Sequence, residues 1–315
     1  MATISVIILN WNGKEFLPTC LNSLRKQTFQ DFEVIVVDNA SKDESVELVH
    51  SQFPWAKLVK LSDNYGFCGG NNRGIVTAEG QYIVLLNNDT EAHPRLLEEL
   101  YEAIERHPEV GFCATRMLNF FDRSRIDNCG IGLHISGKGY QIGSGKMNGA
   151  RFDKMRYVFG ASGGAVLYRR NMLEKIGVLY EDLFSHIEDT DLSWRAQLAG
   201  YRCLYVPTAI IYHIGGATSQ RVSEQVLYRI QRNITLVYMR NITKDLILLT
   251  IFPHFLNSLY WLLRGMKSGQ VRLVWQAKID ALRAWPSIRK QRSKIQANRR
   301  LSFLTLLKMI DWQKT

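Results

Sequence analysis

Cysteine is sparse in this sequence and never closely paired. Its five residues, Cys20, Cys68, Cys113, Cys129 and Cys203, lie far apart and form no C-x-x-C. Neither a secreted disulfide framework nor a zinc ribbon is suggested, and scattered buried thiols in a reducing compartment are expected. Proline is scarce too, at seven in 315 residues, and 46% hydrophobic with 22% charged residues argues against global disorder or a fibrous repeat. No basic stretch, apolar core and small-residue cleavage site opens the chain, so no signal peptide is expected. No glycine fingerprint follows the first apolar run, which counts against a nicotinamide dehydrogenase. Phe67-Cys68-Gly69-Gly70 is neither a dinucleotide fingerprint nor a P-loop lysine motif.

Charge is abundant but uneven. The formal net charge is +11, yet residues 1–264 hold 28 Lys and Arg against 27 Asp and Glu, while residues 265–315 hold 12 basic and two acidic residues. The positive charge belongs to a tail, and several arginines without a base-reading motif give no reason to expect nucleic acid as a partner.

The rest of the chain alternates strand-like and helix-like segments. Ile4–Leu9 and Val34–Val37, the latter ending at Asp38, read as buried strands, as do Lys57–Leu61, Tyr82–Leu86 and Val110–Thr115. Between them, Leu17, Leu21 and Leu24 recur at helical spacing with Pro18 opening the turn, and Gly69–Ala78 reads as a helix. Ser41 and Glu44 have capping-box spacing for a helix to about residue 50, and Pro94 opens one covering Leu96, Leu97, Leu100 and Ile104. Residues 118–156 are glycine-punctuated and read as loops and short antiparallel strands. A strand at Ala165–Tyr168, helices at Met172–Ile176 and Asp189–Leu198, a strand at Ile210–Tyr212 and a helix at Gln225–Met239 follow. This pattern predicts an α/β domain with a mostly parallel sheet, whose ligand sites lie beyond the carboxyl ends of the strands. Asn10, Asp38, Asp63 and Asn87-Asn88-Asp89 all sit just past such ends, so one pocket is expected to collect them.

Two acidic motifs carry chemistry. Asp89, after the apolar Ile83–Leu86, offers a hard oxygen ligand for Mg²⁺ or Mn²⁺, and a diphosphate can complete the ion's coordination. Glu188-Asp189-Thr190-Asp191 puts three carboxylates at a helix start, where free amides and the dipole favour negative charge. At helical spacing Glu188 and Asp191 share a face and Asp189 points elsewhere; capping and general-base chemistry both remain open for Asp189. Gly160-Ala161-Ser162-Gly163-Gly164 is a tight turn that can also bring backbone close to a sugar or acceptor. On the following helix, Arg229 and Arg232 are three apart and can face one phosphate-bearing ligand, Arg232 being the preferred donor-phosphate contact.

In order and spacing, Ser5–Gly13, Val36–Ser41, Asn64-Tyr65-Gly66-Phe67, Leu86–Thr90, Gly163-Gly164, Glu188–Leu192 and Ala199-Gly200-Tyr201-Arg202 resemble the family 2 glycosyltransferases, especially their bacterial rhamnosyltransferase branch. The resemblance covers roughly residues 3–240. It implies a single GT-A catalytic domain over 1–240 that binds a nucleotide sugar and inverts the anomeric centre. Asn10 and Asn12 would border the nucleotide, Asp38 would recognise the base, Asp63 would add a base- or ribose-side contact, and Asn88 would join the donor site. Asp89 matches the last carboxylate of the family's metal motif; Asn87 stands where many members are acidic, leaving Asp89 and the diphosphate as main ligands. His213 is placed near the diphosphate or metal. Asp189 matches the second residue of the Glu-Asp pair and would be the catalytic base, with Glu188, Gly163 and Gly164 on the acceptor side. The reading is a metal-dependent inverting transferase, with dTDP-rhamnose the preferred donor and UDP-hexose or UDP-GlcNAc the alternative. The acceptor would be a lipid-linked or growing cell-envelope glycan. An inactive carbohydrate-binding scaffold is the contrasting class.

Residues 241–315 form an apolar and basic extension. Leu246–Leu263 carries no formal charge and would span about 27 Å as a helix, slightly short for a bilayer core of about 30 Å. Pro253, His254 and Asn257 weaken a spanning segment, while Arg264 and a basic tail with Trp261, Trp275, Trp285 and Trp312 suit a surface anchor. Peripheral attachment to an anionic membrane, at its cytoplasmic face, is expected.

Overall fold

The computed structural model describes residues 2–215 and 223–311; Trp312 lies outside them. The first half alternates strictly: β1 Ile4–Asn10, α1 Leu17–Leu24, β2 Phe32–Asp38, α2 Ser45–Gln52, β3 Lys57–Lys60, α3 Gly66–Thr77 and β4 Tyr82–Asn87. β1 pairs in parallel with both β2 and β4, and β2 with β3. Successive residues of these strands bury themselves on opposite faces. Ile4, Val6 and Ile8 join one apolar cluster with Leu17, Leu21 and Leu97, whereas Ile7, Ile35 and Val37 join another with Cys68 and Ile75. Both faces are covered by helices, so the strands read as continuous apolar runs.

β5 Thr90–Ala92, α4 Leu96–Arg106 and β6 Val110–Asn119 follow, then the short strands β7 Ile126–Asn128, β8 Ile131–His134, β9 Gly139–Gln141 and β10 Arg156–Val158. After β11 Ala165–Arg169 come α5 Arg170–Ile176, α6 Glu188–Leu198, β12 Arg202–His213 and α7 Glu224–Asn241. The main sheet runs β10-β12-β6-β11-β4-β1-β2-β3. β11 is antiparallel to both β4 and β6, while β6 and β12 are parallel. The α/β arrangement is as expected, but its sheet is mixed: the parallel blocks β4-β1-β2-β3 and β6-β12 are joined by the reversed β11, and β5, β7 and β10 also pair antiparallel at the edges.

Three local expectations need correction. Glu44 precedes α2 in a left-handed conformation without a side-chain cap, so Ser41 and Glu44 form no capping box. The Ser41 hydroxyl is instead engaged by Asn10 and the Asn12 amide. α3 starts at Gly66, because Gly66 has φ +70° and a Cβ there would fall 2.5 Å from the Phe184 carbonyl oxygen. β12 runs for 12 residues, so the expected strand at Ile210–Tyr212 is its second half; a register shift between Val206 and Ile210 separates it from a first half that strand patterning does not reveal.

The C-terminal extension is helical: α8 Lys244–Lys267, α9 Val271–Arg283, α10 Trp285–Ala297 and α11 Phe303–Met309, closed by β13 Ile310–Asp311, which pairs with β8. Leu246, Ala281, Ile288, Leu306 and Ile310 join the same buried cluster as Phe112 and Leu192, so the extension shares a core with the sheet domain. Its outer side is different. Leu248, Phe252, Phe255, Tyr260, Leu263 and Met266 of α8 are all exposed. Among the described residues α8 is the one helix long and apolar enough to cross a bilayer, by length and composition.

Candidate active site

Parallel strands that end together bring their following residues together, and β1, β2 and β4 do so at Asn10, Asp38 and Asn87. The buried Asn10 amide donates to Asp38 Oδ1 at 3.3 Å and to Ser41 Oγ at 3.2 Å, while Asn10 Oδ1 accepts from Asn88 Nδ2 at 2.7 Å. Ser41 N–H donates to Asp38 Oδ2 at 3.1 Å. Asn12 is exposed, its N–H bound to Ser41 Oγ and its Oδ1 accepting the Lys42 N–H at 2.7 Å. Gly13 has to be small here: a Cβ would stand 2.1 Å from Asn88 Nδ2. Asn10, Asn12, Asp38 and Asn88 therefore form one hydrogen-bonded rim, with Ser41 a member that sequence reasoning placed in a helix cap.

Beside this rim opens a cavity of about 490 Å³ lined by Asn87, Gly163, Gly164, Glu188, Asp189 and His213, among others. Gly164 accepts the Asn87 N–H at 2.9 Å. A Cβ on Gly163 would come 3.2 Å from the Phe67 ring, and one on Gly164 3.1 Å from Met117 Cε. Both glycines are a close-packed turn and a cavity wall at once.

The expectation that one pocket gathers the strand-end residues holds for Asn87 alone: Asn10, Asp38, Asn88 and Asp89 are not among the residues lining this cavity, and Asp63 lies apart from the rim as well. It is exposed and accepts only from the neighbouring Ser62 hydroxyl at 3.1 Å, because β3 ends early and the chain turns toward solvent. Arg232 is likewise outside the cavity lining. Its guanidinium donates to the Asp182 carbonyl at 2.9 Å and to Asn233 Oδ1 at 3.1 Å, holding α7 to the loop before α6. Arg229 packs over the Phe184 ring, 4.1 Å from its centroid.

The acids of α6 divide differently from the helical-face expectation. Glu188 and Asp189 both line the cavity, while Asp191 is fully buried behind it. The reason is at hand: Asp191 accepts from Arg195 Nε at 2.9 Å, from Arg240 and from Asn241 Nδ2 at 2.8 Å. Asp189 Oδ1 accepts the Thr190 N–H at 2.6 Å. Burial raises the Asp189 pKa above the usual carboxylate value, with the amide hydrogen bonds opposing it. Glu188 has weaker support: a hydrogen bond from its own backbone N–H opposes the shift, but its Oε2 is buried and unpartnered among the described residues. Burial, then the Asp189 charge, lifts its pKa to about 8. Burial raises both adjacent carboxyls, and each disfavours charge on the other.

The chain before α6 is bent. Phe184, His186 and Ile187 all have φ between +60° and +70°, conformations that cost on the order of 1–3 kcal/mol each for residues with a Cβ. Buried Asn233 offsets this, its amide donating to the carbonyls of Leu183, Ser185 and His186 at 2.9–3.0 Å. Asn233 follows Arg232 in sequence, and nothing in the local pattern signals this role.

His213, at the end of β12, bridges two carboxylates: Nδ1 is 2.9 Å from Asp127 Oδ2 and Nε2 is 3.3 Å from Asp89 Oδ1. Burial alone would depress the imidazole, but hydrogen bonds to Asp127 and Asp89 outweigh it and bring its pKa to about 10. Asp127 was not anticipated, lying in the loop-like region. Among the described residues no three His, Cys, Asp or Glu side chains are grouped to hold a metal. Asp89 Oδ1 and His213 Nε2, 3.3 Å apart, fit two adjacent positions on one ion only if the ion displaces the Nε2 proton that Asp89 now holds. The remaining oxygens would have to come from diphosphate and water.

The sequence profile described as "Glycosyl transferase family 2" matches residues 5–177, and the chain belongs to that family. It is 28% identical over 238 residues to the amylovoran biosynthesis glycosyltransferase AmsB of Erwinia amylovora, covering 72% of this chain and 75% of that protein. To EpsH of Bacillus subtilis it is 24% identical over 219 residues, covering 67% of this chain but 60% of that protein. Among solved structures, Staphylococcus aureus TarS 1–349 in complex with UDP-GlcNAc superposes with a TM-score of 0.59 at 22% identity, covering 95% of this chain and 89% of that one. GalNAc-T7 with UDP, GalNAc and Mn²⁺ gives 0.62 at 16% identity, covering 76% and 48%. The fold is the one these transferases share.

Proposed function

We propose that this protein is an inverting glycosyltransferase that moves a sugar from a nucleoside diphosphate to a hydroxyl of a cell-envelope glycan. The observation that carries the reading is Asp189 and Glu188 facing one cavity that also takes in Asn87 and His213 from neighbouring strand ends. Asp38, Asn10 and Asn88 would hold the base and ribose side of the donor. Asp189 would take the proton of the acceptor hydroxyl as it attacks the anomeric carbon opposite the diphosphate, so one displacement inverts the centre without a covalent intermediate. Glu188, protonated, would donate a hydrogen bond on the acceptor side. Asp89 and His213 would hold Mg²⁺ or Mn²⁺, which when bound neutralises charge on the departing diphosphate. The names of AmsB and of the metal-bound GalNAc-T7 structure support this reading.

Motif order favours dTDP-rhamnose as donor. A UDP-GlcNAc donor is the second reading, favoured by the UDP-GlcNAc complex of TarS and by 25% identity over 230 residues to the poly-β-1,6-N-acetyl-D-glucosamine synthase of Staphylococcus epidermidis, covering 70% of this chain and 53% of that protein. The exposed apolar α8 and basic tail support peripheral attachment at the cytoplasmic face of the membrane, where a lipid-linked acceptor would be met.

The test is a nucleotide-sugar panel with Mn²⁺ and membrane acceptor, followed by product NMR. Rhamnose preference means more than tenfold faster use of dTDP-rhamnose than of UDP-hexoses. Asp189→Asn should keep nucleotide binding while transfer falls about a hundredfold or more. Wild-type transfer by that variant rejects the base assignment, and glycan binding without transfer from any donor points to an inactive scaffold.

A further inference from the structure

A second chamber, of about 530 Å³, lies behind the β8–β9 hairpin and is closed on its far side by α11 and β13. Tyr140 belongs to the walls of both this chamber and the catalytic cavity. Its ring lies against β8 because residue 132 is glycine; a Cβ there would be 2.2 Å from Tyr140 Cζ. The C-terminal extension thus helps to build a compartment adjoining the proposed reaction centre.

The chamber's charges are unbalanced. Arg156, Arg202 and Lys308 line it against one carboxylate, Asp311, which already accepts from the Tyr140 hydroxyl at 2.5 Å. Arg156 is the informative one. Its guanidinium sits 5.4 Å from the Tyr205 ring centroid and 6.0 Å from that of Phe152. Its Nε and Nη2 are buried with no hydrogen-bond partner among the described residues. Buried donors on a charged group are strongly disfavoured without an acceptor, so this arrangement asks for oxygens that the described residues do not supply. Arg202 is exposed with its guanidinium over the Tyr157 ring, 3.2 Å from the centroid, and the exposed Lys308 lines the same chamber. A half-buried guanidinium with two unpartnered nitrogens, two exposed cations and the tyrosines 140 and 157 in one lining suit an acidic sugar.

We propose that this chamber is a subsite for an acidic group, carboxylate or phosphate, on the acceptor glycan, with Arg156 its main ligand. The word acceptor rests on the proposed transferase activity; the binding of the anion does not. Calorimetry and ligand-detected NMR with glucuronate, glycerol phosphate and neutral methyl glucoside, in saturating UDP and Mn²⁺ to fill the donor site, test it. At least one acidic probe should bind, at least tenfold better than methyl glucoside, and which one binds names the acidic group. Binding should weaken about tenfold in Arg156→Gln and in an Arg202→Gln/Lys308→Gln double variant, with UDP affinity unchanged. Should Arg156→Gln fail to fold, the double variant decides. Equal binding of neutral and acidic probes, no acidic binding, or full binding by the folded variants overturns the proposal. Anion binding without sugar transfer from any donor would instead reject the transferase reading and leave the site standing.

Discussion

Asp191 meets the guanidinium of Arg240 two residues along α6 from Asp189, and this buried ion pair fastens the helix carrying the proposed base to α7. Arg195 completes the group, its other donors going to the carbonyls of Ile176, Gly177 and Val178 at 2.7–2.8 Å. The arrangement aims one acid of α6 inward and leaves two for the cavity.

Asp191→Asn should destabilise the protein by about 3–5 kcal/mol, because two buried guanidinium groups lose their counter-charge. Urea unfolding measures this. Burial pushes the Asp191 pKa up, but Arg240 and Arg195 outweigh it and hold it at about 2. A lowered carboxylate pKa contributes stability above its unfolded value, near 3.8, that is lost as pH falls toward 2. The difference between wild type and variant should therefore stay constant from pH 7 to pH 5 and shrink below pH 4.

Glu188→Gln has the opposite signature. A carboxyl raised to about 8 in the fold contributes stability that is fully present only below its unfolded value near 4.5 and is lost as pH rises toward 8. The variant cannot ionise, so its melting temperature should exceed that of wild type by several degrees at pH 8.5 and match it near pH 4.5. Parallel melting curves at all pH values would show that folding leaves the Glu188 pKa unshifted.

Asp89→Ala should cut Mn²⁺-stimulated donor binding at least tenfold while leaving the fold intact, since Asp89 is half-buried and its listener, His213, keeps Asp127. Calorimetric titration of nucleotide with and without the ion reads this out. An unchanged ion dependence would remove Asp89 from the metal site.

A Leu248→Ser, Phe252→Ser, Phe255→Ser triple variant should bind anionic vesicles at least tenfold more weakly with no loss of stability, because all three side chains are exposed. Sedimentation with vesicles containing phosphatidylglycerol measures retention. Undiminished retention would move the membrane contact away from α8.

Much of the catalytic half was legible because its signals are local. The buried strands Ile4–Asn10, Phe32–Asp38 and Tyr82–Asn87 are continuous apolar runs, and parallel pairing obliges the polar residues after them to converge. Asp63 breaks the rule because its strand is four residues long and exposed at both ends, which a short run of mixed residues does not reveal.

The sequence by itself determined the alternation of elements, the acids at the strand ends and the helix that opens with Glu188 and Asp189. Only the tertiary structure decided which acids face the cavity, that His213 is shared by Asp89 and Asp127, that Arg232 holds a loop, and that the basic tail folds back to build a chamber around Arg156. The physical reason is range. Periodicity and capping act over a few residues, whereas Arg240 at Asp191, Asp127 and Asp89 at His213, and His186 at Asn233 arrive from 47 to 124 positions away and are chosen by packing.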